Sequence, residues 1–170
     1  HFMLKEMYEQ PKIVADMMKA RIKGSGISYE DIGLTDEELK AVKKLFVVAC
    51  GSAYHVGLTA KYAIEGLAGI TVEVDFASEF RYRNPILEEG TWVWVISQSG
   101  ETADTLEALR GAKQRGHKVL GIVNVVGSSI AREADNVMYT WAGPEIAVAT
   151  TKAYSAQLSA VYMLAMKLGK

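Results

Sequence analysis

The segment Ser97-Gln98-Ser99-Gly100-Glu101-Thr102 concentrates neutral hydrogen-bonding groups directly after the apolar run TWVWVI. It offers three hydroxyls and one amide, with no lysine or arginine among them. If the apolar run is a buried strand, the next helix begins near Glu101 or Thr102, and its unpaired amides carry about half a positive charge toward this loop. Gly100 lets a ligand approach the backbone closely. These features predict a phosphate site, provided that Glu101 turns outward; the alternative is that Ser99 is only a helix N-cap.

A second turn, ACGSAYHVG at 49–57, follows another apolar run and matches neither of the common nucleotide-binding fingerprints. Gly51 allows a tight turn there, and Ser52 either caps the next helix or meets a ligand hydroxyl. Cys50 ends a buried strand without an evident basic neighbour, so we interpret it as an inert core thiol. His55 has no evident partner and is interpreted as a surface or packing residue.

The third unusual turn is PEIAVATTKAYSAQ at 144–157. Its alanines leave room for a ligand, and Thr150 and Thr151 can cap the helix that follows. Lys152 falls in the first helical turn, where a cation opposes the helix dipole. A functional role for this lysine is therefore one hypothesis, and an ordinary solvated lysine is the other.

Short apolar runs alternate with longer amphipathic stretches through most of the chain. The apolar runs predict strands at 45–50, 71–76, 91–97, 118–124 and 136–141. The amphipathic stretches predict helices at 53–68, 103–115, 128–134 and 151–168. Only TVEVDF at 71–76 alternates clearly, which indicates an edge strand. The pattern predicts an α/β fold, a three-layer αβα sandwich of the flavodoxin-like kind with a five-stranded parallel sheet. Ligands of such sheets bind beyond the carboxyl ends of the strands, where these turns lie.

The sequence predicts a helical segment over 1–44, which packs on a single domain formed by 45–170. Its helices are expected at 2–9, 11–22 and 36–44. The first two are separated at Gln10, because Pro11 suits a first helical position and not a helix interior. The third begins with a capping box, in which Thr35 and Glu38 exchange side-chain and backbone hydrogen bonds.

Composition narrows the class of protein. The 19 basic and 20 acidic residues give a net charge of −1 and form no polybasic run, which argues against a nucleic-acid partner. No apolar stretch reaches the ~20 residues that span a bilayer. A single cysteine fits a reducing cytoplasm, and three histidines with one cysteine lack metal-ligand spacing, so we expect no metal and no cofactor. The chain opens without a methionine and already in helical pattern, so we expect a piece of a longer protein.

Several motifs, in order along nearly the whole chain, resemble one family. These are HFMLKEMYEQP, ASEFRYRNP, SQSGETADTLEAL, GSSIAREAD and EIAVATTKAY. Together they look like the first of two sugar isomerase (SIS) domains in the glucosamine 6-phosphate synthases, the isomerising glutamine–fructose-6-phosphate aminotransferases. The resemblance implies a flavodoxin-like SIS domain, in agreement with the fold predicted above.

The resemblance also implies which residues bind substrate. Fructose 6-phosphate or glucosamine 6-phosphate is expected to place its phosphate on Ser97, Gln98, Ser99 and Thr102. The sugar is expected to lie against Ser52, Val148 and Thr150, with Gly51, Ala149 and Lys152 close by. The family commonly reads Cys-Gly-Thr-Ser where this chain has Cys-Gly-Ser-Ala at 50–53, so one sugar-contacting hydroxyl is missing here.

In such enzymes the substrates are fructose 6-phosphate and glutamine, and the products are glucosamine 6-phosphate and glutamate. The resemblance implies that a glutaminase domain and a second SIS domain lie outside these 170 residues, and that the enzyme is a homodimer. Because the acid and base groups belong mainly to those other parts, we expect no catalytic residue here and no activity from this chain alone. Two alternatives remain, a sugar-phosphate-sensing module and a dimerisation scaffold that uses Arg81 and Arg83, which also suit a solvated charged loop.

Overall fold

A computed structural model describes residues 1–169. Its helices are α1 Phe2–Arg21, α2 Asp36–Lys40, α3 Ser52–Ala68, α4 Ala77–Arg83, α5 Ala103–Gln114, α6 Ser129–Glu133 and α7 Lys152–Leu168. Its strands are β1 Ile22–Lys23, β2 Gly26–Ile27, β3 Lys44–Ala49, β4 Thr71–Phe76, β5 Thr91–Ser97, β6 Val119–Val123 and β7 Asn136–Tyr139. Within these residues, no helix is both long enough and apolar enough to cross a membrane.

Five strands form a parallel sheet in the order β4-β3-β5-β6-β7. Counted along the sheet's own strands this is the order 2-1-3-4-5, which is the flavodoxin-like arrangement. The predicted fold class is therefore confirmed, and β4 lies at the edge as its alternating pattern indicated. All seven residues of β5, the central strand, are buried, as expected for a parallel strand covered on both faces.

Alternate residues of the strands supply two cores, one on each face of the sheet. In β3, Leu45 and Val47 point to the face covered by α3 and α7, whereas Phe46 and Val48 point to the face covered by α4, α5 and α6. The first core also takes in apolar residues from the chain before β3: Met17, Tyr29, Ile32, Leu34, Leu39 and Val42. Helices thus cover both faces of the sheet, and the loops at its carboxyl edge lie where such sheets bind ligands.

The first helix corrects the sequence prediction. Helix α1 runs unbroken through Pro11 to Arg21, so the predicted break at Gln10 is wrong. Proline removes the N–H that would donate to the carbonyl of Met7. The side-chain amide of Gln10 donates to that carbonyl instead, at 3.1 Å, so the carbonyl keeps a partner and the helix continues.

Helix α2 confirms its predicted start and corrects its predicted end. Thr35 Oγ1 accepts from the Glu38 amide at 3.2 Å, and the Glu38 carboxylate accepts from the Thr35 amide at 2.9 Å. The capping box is therefore present. The helix ends at Lys40 and not at Lys44, because Lys44 already pairs in β3.

Helix α4 was not predicted. Its segment ASEFRYR was interpreted as a charged loop or an interface, yet Ala77 and Phe80, three residues apart, are both buried. The Phe80 ring meets the Phe46 ring edge to face, with centroids 5.1 Å apart. On its outer side, Arg81 and Arg83 form ion pairs with aspartates of the same chain, Asp104 and Asp75.

Candidate functional site

A cleft opens between the carboxyl ends of β3 and β5. The chain leaves β3 toward one side of the sheet and β5 toward the other, and such a switch point is where open α/β sheets bind ligands. The cavity there has a volume of about 330 Å³. Its walls come from three loops, at 50–53, 96–102 and 145–150, and from Gln157 of α7.

Of the ten predicted site residues, eight line this cavity: Gly51, Ser52, Ser97, Gln98, Ser99, Thr102, Val148 and Thr150. Ala149 and Lys152 do not. Residues that were not predicted as site residues complete the lining: Cys50, Ala53, Ile96, Glu145, Ala147 and Gln157. Within residues 1–169, no lysine, arginine or histidine lines the cavity, and no group of three or more histidine, cysteine or acidic residues has an arrangement that would hold a metal ion.

The loop after β5 is shaped from inside by its own hydroxyls. Ser97 Oγ accepts from the Gly100 amide at 3.0 Å and lies 3.1 Å from Thr102 Oγ1. Ser99 Oγ accepts from the Glu101 amide at 3.2 Å. Each of these hydroxyls therefore makes one or two hydrogen bonds within the chain. A hydroxyl can donate one hydrogen bond and accept two, so each can still form hydrogen bonds to a ligand.

Helix α5 begins at Ala103, as the amphipathic pattern predicted, with Thr102 as its N-cap residue, and it has no side-chain cap. The alternative in which Ser99 is the N-cap is therefore wrong. The first amides of a helix lack partners within the helix and concentrate positive potential at its start. Thr102 lines the cavity, so the start of α5 lies beside the cleft, as the phosphate prediction requires.

Glu101 turns away from the helix end, as that prediction also requires. Its carboxylate accepts from the amide of Ser129 at 2.8 Å, at the start of α6. Hydrogen bonds from Ser129 hold the pKa of Glu101 below its usual range. The negative charge of Glu101, the one acidic residue among 97–102, is therefore hydrogen-bonded to the start of α6.

The turn after β3 forms the floor of the cleft. Gly51 adopts φ +58°, so it supplies the tight turn, and α3 starts at the exposed Ser52. Cys50 was predicted to be a core thiol at the end of the strand, and this prediction is wrong. Cys50 lies one residue beyond β3, is half-buried and lines the cavity. The Thr105 hydroxyl donates to its sulfur at 3.7 Å. His55 is exposed, as expected.

Glu145 is a cleft residue that the sequence reasoning missed. Its Oε1 accepts from the amides of Thr151 and Ala153, at 2.9 and 3.1 Å, and its Oε2 accepts from the Thr150 hydroxyl at 2.9 Å. The side chain of Glu145 therefore caps α7, whereas Thr151, the N-cap residue, makes no side-chain cap. An acidic residue shortly before a predicted helix start was the available signal, since carboxylates are stabilised there.

Lys152 is buried, with only 5% of its surface exposed, so the solvated alternative is wrong. Its ammonium pairs with the Glu9 carboxylate of α1 at 2.7 Å, and this contact is the main reason that the pKa of Glu9 is lowered. The pairing explains how a lysine is tolerated in the first turn of a helix, because Glu9 offsets the charge that opposes the dipole.

Comparison with known proteins agrees with this architecture. A family model described as the SIS domain matches residues 38–167. Glutamine–fructose-6-phosphate aminotransferase (isomerizing) of Clostridium tetani is 60% identical over 167 residues, which are 98% of this chain and 28% of that protein. The protein of the same name from Mycobacterium tuberculosis is 55% identical over 170 residues, the whole of this chain and 27% of that protein. The C-terminal domain of glucosamine-fructose-6-phosphate aminotransferase from Francisella tularensis has a TM-score of 0.95 at 42% identity, covering 99% of this chain and 48% of that one.

The chain therefore belongs to the SIS domain family. Over nearly its whole length it is similar to the isomerizing glutamine–fructose-6-phosphate aminotransferases, which confirms the resemblance seen in its motifs. It spans little more than a quarter of the length of those relatives.

Proposed function

We propose that the cleft binds a hexose 6-phosphate, with the phosphate at the start of α5 and the sugar against residues 147–150. The observation that carries this proposal is the uncapped first turn of α5, which opens into a cavity lined by serine, threonine and glutamine side chains. Free amides and the helix dipole both favour an anion at such a position. The neutral side chains beside them can donate further hydrogen bonds to an anion without bringing a cationic group into the site.

The residues divide between the two ends of the ligand. We assign the phosphate to Ser97, Gln98, Ser99 and Thr102. We assign the sugar to Ser52, Val148 and Thr150, with Gly51 forming the turn beneath it and with Ala149 and Lys152 supporting the wall from outside the cavity. Each charge-assisted hydrogen bond contributes roughly 1.5–3 kcal/mol, so a few of them account for an affinity on the order of millimolar to micromolar.

The reaction that this cleft serves is the conversion of fructose 6-phosphate and glutamine to glucosamine 6-phosphate and glutamate. The names of the similar proteins support this proposal. Isomerisation of the sugar needs a base within hydrogen-bond reach of the proton to be moved. Glu145 is the carboxylate of the cavity lining, and it already accepts from three donors that cap α7. We therefore expect the 170 residues alone to bind substrate without turning it over, the glutaminase and the second SIS domain being supplied by other parts of a longer enzyme.

Assembly is a second role that one surface favours. The outward face of α1 exposes Met3, Leu4, Met7, Tyr8 and Met18, and exposed apolar surface of this kind marks an interaction site. We propose that this face is covered when the full enzyme assembles as a homodimer. A cytoplasmic location is part of the same proposal, in keeping with the free thiol of Cys50.

A titration followed by amide NMR tests the binding proposal. We expect fructose 6-phosphate and glucose 6-phosphate to shift the amides of residues 97–102 and 147–150, inorganic phosphate to shift only the first set, and free sugars to shift neither. Shifts confined to another surface would refute the assignment of the cleft. In a parallel assay, formation of glucosamine 6-phosphate by the isolated chain would refute the expectation that it lacks turnover.

A further inference from the structure

The loop between β7 and α7 forms one wall of the cleft. Residues 143–150 belong to no helix or strand. Ala147, Val148 and Thr150 line the cavity, and Val148 is also exposed to solvent, as are Ile146 and Ala149. With so little packing beneath it, the position of this wall depends on the few polar contacts that hold its backbone.

One of those contacts comes from α1. Glu6 is 3% exposed, and its carboxylate reaches the backbone of the loop. Its Oε1 accepts from the Ile146 amide at 2.6 Å, and the Ala147 amide lies 3.3 Å from Oε1 and 3.2 Å from Oε2. A carboxylate suits this position because it only accepts, and it offers two oxygens to two consecutive amides.

The same face of α1 also holds the end of the loop. Glu9 pairs with Lys152, and Gln10 accepts from the Ser155 hydroxyl, both in the first turn of α7. Positions 6, 9 and 10 are three and four residues apart, so they share one side of the helix. Helix α1 therefore clamps the loop near its middle and at its end.

The loop at 97–102, to which we assign the phosphate and which we call the phosphate loop, is fastened by residues that follow β6. The Gln98 carbonyl accepts from the Asn124 amide at 3.1 Å, and the Gly100 carbonyl accepts from the Ile130 amide at 3.0 Å. Both donors lie after β6, and neither contact involves α1. The Asn124 side chain also donates to the Gly143 carbonyl at 2.8 Å, so Asn124 supports the beginning of the 143–150 loop as well. Glu6 contacts this wall at Ile146 and Ala147, beyond the support that Asn124 gives to Gly143. A change at Glu6 should therefore move this wall of the cleft and leave the loop at 97–102 in place.

We propose that Glu6 is a positioning residue that sets the affinity of the cleft for the sugar portion of its ligand, through the backbone of Ile146 and Ala147. The inference rests on the proposed function and deepens it, because it separates sugar recognition from phosphate capture. It gives α1 a role in ligand selectivity, although Glu6 and Ile146 lie 140 residues apart in the sequence.

The test compares three proteins: the unaltered 170-residue chain, Glu6→Gln, and the control Asp16→Asn, whose carboxylate is exposed on the same helix and pairs with Lys12. Calorimetric titrations with fructose 6-phosphate and with inorganic phosphate give two dissociation constants for each protein. Because Glu6→Gln replaces one acceptor by a donor, we expect hexose phosphate to bind about tenfold more weakly and phosphate to bind as before. Asp16→Asn should change neither constant.

Amide hydrogen exchange without ligand supplies a second readout. Exchange at Ile146 and Ala147 should accelerate in Glu6→Gln, while exchange at residues 97–102 stays the same. An equal loss of affinity for both ligands, or unchanged exchange at Ile146 and Ala147, would overturn the inference. If the unaltered chain bound no hexose phosphate, the proposed function would fail, and with it the claim about sugar affinity; the exchange result would still show whether Glu6 holds the loop.

Discussion

Replacing Gly100 by alanine tests whether the phosphate loop owes its shape to close backbone packing. Gly100 adopts φ +67°, a conformation that costs an L-residue roughly 1–2 kcal/mol. A Cβ atom there would lie 2.1 Å from Ser128 Oγ and 2.6 Å from Ser128 Cβ. Ser128 is only 2% exposed, so relief requires a shift of its backbone at the start of α6. Overpacking of this kind costs typically 1–3 kcal/mol, so we expect Gly100→Ala to lose about 2–5 kcal/mol of unfolding free energy.

Gly116→Ala is the matched control. Gly116 has φ +81°, and a Cβ atom there would meet nothing within 4 Å, so only the conformational cost of roughly 1–2 kcal/mol applies. Urea denaturation at equilibrium measures both losses. Adding Ser128→Gly to Gly100→Ala removes the clashing atoms and should recover about 1–3 kcal/mol of the loss. Equal losses for the two alanine variants, or no recovery in the double variant, would show that the close approach to Ser128 has no energetic weight.

Two further predictions concern helix ends. Thr35→Ala removes half of the capping box on α2 and should lower the unfolding free energy by about 1 kcal/mol, measured by urea denaturation. The lowered pKa of Glu101 means that its hydrogen bonds from Ser129 stabilise the fold at neutral pH, and that this contribution is lost as the pH falls below about 4.3, the usual pKa of glutamate. Glu101→Gln should therefore flatten the acid limb of the stability profile; an unchanged limb would contradict this assignment.

The sheet and the position of the loop at 97–102 could be predicted because their signals are local. A continuous apolar run such as TWVWVI has to be covered on both faces, and alternation in TVEVDF indicates a strand with one less buried side. Hydroxyls grouped with Gly100 at the end of a buried strand predict an anion site without any knowledge of tertiary contacts, and the structure places the residues that carry these hydroxyls along one cavity. These features are the ones that the structure places together at the carboxyl edge.

The features that escaped prediction depend on partners far away in the sequence. Pro11 indicates a helix break unless another group serves the carbonyl of Met7, and the side chain of Gln10 does so. Lys152 looks like a solvated lysine until α1 brings Glu9 against it, 143 residues earlier in the chain. Helix α4 is too short to show a clear periodicity. Phe80 packs in a core formed by several strands and helices, so its burial cannot be inferred from its own segment.

The charges around the cleft bear on how a site without cationic side chains in its described lining would select a dianion, as we propose it does. Glu101 is paired with the start of α6, Glu145 caps α7, and Lys152 is matched by Glu9. The field of each of these groups falls mainly on its partner at close range, because the interaction between charges weakens with distance and with screening. The positive potential at the uncapped start of α5 is then the main electrostatic feature that an entering ligand meets. If the cleft binds a phosphate as proposed, its affinity should fall less in high salt than that of a site built from exposed lysines and arginines, because no cationic side chain lines the described cavity.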